Sequence, residues 1–136
     1  MTLLEDNEYL TIEEYQEENL LKLIWKNTSE SLNHEQDKYK SLILLWATSV
    51  QNYQPKGVVV DTRDHSVIIH PAMQQWFVDE VFPKYRLLGM KKLAFITSQD
   101  FISQLSVEQT MKEDDNLPFK TQYFSCDNEG FDWVVS

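Results

Sequence analysis

Two short apolar runs, GVVVD at 57–61 and KLAFIT at 92–97, constrain the fold more than any other feature. Each is long enough for a strand and too short for a typical globular helix. Neither alternates with polar residues, as befits strands covered on both faces. The segment between them opens with His70-Pro71 and carries apolar residues at helical spacing. A strand, a helix and a second strand in that order predict parallel neighbours joined by right-handed crossovers, and hence an α/β domain.

The remaining elements extend this pattern in both directions. Asn33-His-Glu-Gln36 reads as a helix start, with Asn33 accepting from the first turn and Gln36 reaching back. Tyr39, Leu42, Ile43, Trp46, Val50 and Tyr53 then form one stripe, ending before Gln54-Pro55. Proline at the first helical position starts the next helix, which buries Met73, Trp76, Phe77, Val81 and the stem of Glu80 and stops near Phe82 because of Pro83. Ser98 caps a third helix whose buried stripe is Phe101, Ile102, Leu105, Val107 and Met111. FKTQYFS (119–125) is an edge strand, and Asp127 to Val135 a closing helix anchored by Phe131, Val134 and Val135.

Upstream, EYLTIEEY (8–15) and ENLLKLIWK (18–26) make an antiparallel hairpin, preceded by a flexible terminus at residues 1–7. The order is β-β-α-β-α-β-α-β-α in one domain over 1–136, a mixed, mostly parallel sheet with about four helices. Trp25, Trp46, Trp76 and Trp133 fall on apolar sides and are expected in the core.

Charge narrows the partners. The net charge is −10, and seven acids precede the first base, Lys22. Such a surface repels phosphate backbones and anionic lipid, so nucleic acid is not an expected partner. The one basic group, Lys84, Arg86, Lys91 and Lys92, reads as a solvated helix end and loop. No apolar run approaches the ~18 residues of a membrane span. MTLLEDNEYL lacks the basic and apolar regions of an export signal, and the lone Cys126 has no internal disulfide partner. A cytoplasmic location is expected.

WKNTSESLNHEQDKYKSLI, YQPKGVVVDTRD, QQWFVDEVFP, GMKKLAFI and FSCDNEGFDWV, in this order and spacing, resemble the STAS-like domains of anti-sigma-factor antagonists and, more closely, bacterial SpoIIAA-like proteins. The resemblance spans 8–135. It implies a STAS-like fold and a small cytoplasmic domain that binds a protein partner or a small ligand. Antagonists of that family carry a phosphorylatable serine at the start of the second helix; here His70, Pro71 and Ala72 occupy the place, and Ser66 lies on the wrong side of it. The phosphorylation switch is therefore not carried over.

The candidate sites are few. Ligands of open α/β sheets bind beyond the strand carboxyl ends. That edge presents Asp61, Thr62 and Arg63 from one strand, Thr97, Ser98 and Gln99 from another, and His70 at the intervening helix. Asp61, Asp64, His65 and His70 are metal-donor types, but D-x-x-D-H-x4-H is not a dedicated spacing. The simpler reading gives Asp61 and Arg63 a local ion pair or turn hydrogen bonds and leaves His65 in solvent. Cys126, near a helix start, has no histidine after position 70 to activate it. Three glycines and no phosphate loop argue against nucleotide binding.

The sequence thus suggests a non-catalytic cytoplasmic regulatory or scaffolding module without a cofactor, binding a protein partner or itself through an exposed apolar patch. A second reading, binding of a small or apolar ligand, calls for a cavity of roughly 300 Å3 or more. A third, a metal-dependent enzyme, would use Asp61, His65 and His70.

Overall fold

A computed structural model describes residues 1–136. Six strands, β1 Thr2–Asp6, β2 Leu10–Tyr15, β3 Leu20–Trp25, β4 Gly57–Asp61, β5 Lys92–Ile96 and β6 Lys120–Phe124, form one sheet in which spatial order repeats chain order. The pairs β1–β2 and β2–β3 are antiparallel, and the other three are parallel. The chain is α/β with a mixed sheet and five helices: α1 Gln36–Tyr53, α2 Pro71–Trp76, α3 Phe82–Arg86, α4 Phe101–Lys112 and α5 Asp127–Val135.

The period-2 alternation of side chains divides the core. Leu21, Leu23 and Trp25 on β3, Val58 and Val60 on β4, and Leu93 and Phe95 on β5 meet α1, α2, α3 and α4 on one face. Leu20, Val59, Ala94 and Ile96 point to the other face, beneath Phe131, Trp133 and Val134 of α5. Gly57 and Gly130 let α5 approach closely: a Cβ on Gly57 would lie 2.3 Å from Val134 Cγ1, and one on Gly130 2.6 Å from Ile96 Cδ1. Lys22, buried in β3, reaches Asp127 Oδ1 at the start of α5 at 2.6 Å. The pair fixes the helix over the sheet, and Asp127 Oδ1 has no hydrogen-bond partner besides this ion contact.

Several expectations are corrected. Residues 1–7 do not form a free terminus: Thr2–Asp6 pairs with β2 as an additional edge strand, with a register shift between Leu3 and Glu5. The β2–β3 turn, which lacks Gly and Pro, is closed by Asn19 at φ 53 and its N–H to Gln16 O. Asn33 caps nothing. Residues Asn27–His34 form a 3-10 helix, and the Asn33 amide instead binds Ser66 O and Ile68 N at 2.9 Å each.

Nor does Pro83 end its helix. A π-helical segment, Phe77–Val81, intervenes, and Phe82 N–H reaches back five residues to Phe77 O. The wider turn changes the pairing just before the proline, so α3 continues to Arg86. Glu80 is exposed, and Trp76 and Trp133 are only half-buried, whereas Trp25 and Trp46 are in the core. β6 lies at the sheet edge, as its polar residues require.

Candidate interaction surface

The loop at 62–70 decides what α4 can do. Its residues Thr62, His65, Val67 and Ile69 are buried, so the backbone polar groups beside them must find partners. Ser103 Oγ donates to Val67 O at 2.8 Å, and Ser106 Oγ accepts from Ile69 N at 3.0 Å and donates to Ser103 O at 2.8 Å. Thr110 Oγ1 donates to Ser106 O at 2.7 Å. Small hydroxyl side chains allow the helix to sit close enough for these bonds. An unpaired buried backbone group would cost about 1–3 kcal/mol, comparable to the gain from burying one large apolar side chain. The helix therefore buries Ser103, Ser106, Val107 and Thr110.

The large apolar residues face the other way. Phe101 is 75% exposed, Ile102 52% and Leu105 43%. The expected stripe is corrected on these three; of it only Val107 is buried, with Met111 half-buried. At spacings of one, three and four residues, Phe101, Ile102 and Leu105 share one side of the helix. Ile68, also exposed, follows the Val67 carbonyl that Ser103 holds. The signal in the sequence was the hydroxyl stripe 103, 106 and 110, which has the same helical period as the apolar one.

Ser98 does not cap α4. Asp100 does, accepting from Ser103 N at 3.0 Å, while Ser98 Oγ donates to His65 O at 2.7 Å and Ser98 N to Gln104 Oε1 at 2.7 Å.

His65 is the largest departure from expectation. It is not in solvent but 1% exposed, packed edge-on to Trp25 at 5.1 Å. Nδ1 lies 2.9 Å from Ser103 Oγ and Nε2 3.0 Å from the Tyr39 hydroxyl. Because the Ser103 proton goes to Val67 O, Nδ1 must carry hydrogen and donate to Ser103. Tyr39 then donates to Nε2. Both partners suit the neutral ring, and burial lowers the His65 pKa to about 4, opposed in part by Asp100. Burial likewise raises the phenols of Tyr39 and Tyr85. A Ser–His contact of this kind is a nucleophile motif when open to substrate. Here both groups are buried and fully engaged, and the trio pins the loop to α1 and α4.

The strand-end residues come together, but on one another. Arg63 clamps Asp61 through Nη2–Oδ2 at 2.6 Å and Nε–Oδ1 at 3.0 Å, and this bond raises the guanidinium pKa. Thr62 Oγ1 donates to Ile96 O at 2.5 Å, and Thr97 N to Phe124 O at 2.8 Å. His70 stands apart, exposed at the start of α2 without a side-chain capping bond. Asp61, Asp64, His65 and His70 do not converge, and no three His, Cys, Asp or Glu side chains are grouped to hold a metal ion. Cys126 is free and exposed immediately before α5.

Beneath the loop, a cavity of about 60 Å3 lies between sheet and helices, lined by residues including Tyr39, Thr62, His65, Phe77, Phe82 and Tyr85. That is well below the ~300 Å3 at which small-molecule pockets begin. The basic group is partly spent: Arg86 pairs with Asp114, and Lys92 Nζ binds Trp133 O and Ser136 Oγ at 3.0 Å each. No helix is long and apolar enough to cross a membrane.

Comparison with protein-family models, curated proteins and solved structures found no match to this chain.

Proposed function

We propose that this chain is a non-catalytic regulatory or scaffolding module of STAS-like type, acting in the cytoplasm, whose α4 face docks a protein. One observation carries the reading: α4 buries its small hydroxyl residues and presents Phe101, Ile102 and Leu105 to solvent. A helix face that forgoes the burial of three large apolar side chains is the kind of patch that marks an interaction surface. The hairpin followed by alternating helices and strands supports the STAS-like assignment, with β1 as an addition to the pattern. A single free cysteine suits a reducing compartment. Engagement of both His65 nitrogens by structural partners favours binding over catalysis.

A photo-cross-linking residue at Leu105, introduced in the native cell, tests this. It should yield protein adducts, whereas the same residue at Glu17, in the β2–β3 turn at the other end of the sheet, should yield none. Equal labelling at both positions, or none at Leu105, would overturn the reading.

A further inference from the structure

Resting on the reading of α4 as a docking face, we infer that its occupant is a cationic amphipathic helical segment of another protein, and not a second copy of this chain. The first ground is charge. Asp100 caps the helix immediately before Phe101, and Glu108 follows Leu105 by one turn. Of the nearby cations, Arg63 is neutralised by Asp61, leaving Lys112 beyond Glu108. Two copies, each at net −10, would bring like-charged surfaces together. A partner with Lys or Arg around an apolar stripe meets opposite charge within the ~8 Å over which ions interact at physiological salt.

The second ground is size. Three exposed apolar side chains on one helix are far fewer than the roughly 20–30 residues a side that stable globular pairs engage. They match one helix laying residues at i, i+3 and i+4 against them. Phe101 and Leu105 would be the anchors, with Ile102 extending the patch toward the loop. The carboxylates would set partner choice and approach rate.

Two synthetic helical peptides with the same leucine stripe, one bearing lysine and the other glutamate elsewhere, are titrated against the full chain by fluorescence anisotropy. The lysine peptide should bind and the glutamate peptide should not. Raising salt from about 0.05 to about 0.3 M should weaken binding severalfold. Phe101→Ser with Leu105→Ser leaves the net charge unchanged and should cost about tenfold or more in affinity. Glu108→Gln, which leaves the apolar anchors in place, should cost about twofold to fivefold. Unchanged thermal melts would show that the variants fold.

Equal binding of both peptides would overturn the cationic class and leave α4 as a docking face. Lysine-peptide binding that ignores Phe101→Ser and Leu105→Ser would overturn the inference, because diffuse charge would then account for it. If neither peptide binds and Leu105 cross-links only to a second copy, with a dimer in light scattering, the occupant is the chain itself. Absence of any Leu105 adduct removes the underlying reading instead.

Discussion

At the scale of single residues, His65 ties the loop to two helices, and its protonation state is part of the fold. In the folded chain the ring is held neutral, with a pKa of about 4, against about 6.5 when unfolded. Its contribution is therefore present above about pH 6.5 and is lost as pH falls toward 4. The full difference is on the order of 3 kcal/mol. Urea unfolding between pH 7 and 4.5 should show a steeper loss of stability for the native chain than for His65→Gln. Other carboxylates titrate in both proteins, so the difference in slope isolates the histidine. Parallel profiles would mean that the ring is already hydrated or charged in the folded state. Asp61 and Arg63 show the opposite case: their two-residue spacing at a strand end left an ion pair or turn hydrogen bonds open, and the folded chain makes both.

At the scale of elements, α4 and α5 are placed by different means. The buried face of α4 was not legible, because two stripes share one helical period and the apolar one has the greater apparent claim. Burial went to the hydroxyl stripe because a neighbouring loop, distant in sequence, brought unpaired backbone groups against the helix. α5 was legible as a helix, yet its seat depends on Gly57, far away in the chain. Gly57→Ala would drive a methyl into Val134, whose β-branched side chain is stiff within a helix. A loss of about 1–3 kcal/mol in chemical denaturation is expected. Val134→Ala should relieve most of it, giving a clear coupling energy in a double-mutant cycle. Simple additivity of the two changes would show that α5 does not press on Gly57.

At the scale of the whole molecule, twenty-two acids against twelve bases must be accommodated on one small domain. The ion pairs present, Lys22–Asp127, Lys26–Asp6, Arg63–Asp61 and Arg86–Asp114, leave most carboxylates without a cation. The folded state is therefore under net self-repulsion, which salt screens. Raising ionic strength from about 0.01 to about 0.15 M should increase Tm by a few degrees, on the order of 2–5 °C, in differential scanning calorimetry. A fall in Tm would show that the ion pairs outweigh the repulsion. The same field would repel a second copy and favour the cationic partner proposed above, so stability and partner choice would share one cause.

The sequence by itself determined the α/β class, the parallel half of the sheet, the hairpin before it and the edge position of β6. These depend on local periodicity and on the shortness of apolar runs, which a chain carries wherever it folds. Tertiary structure alone decided the pairing of Thr2–Asp6, the passage of the helix through Pro83, the burial of His65 and the outward face of Phe101, Ile102 and Leu105. Each of those depends on polar or steric demands made by residues remote in the chain. A pattern read along the sequence shows that a face is apolar, whereas only the packed molecule shows whether something more costly to expose has taken its place.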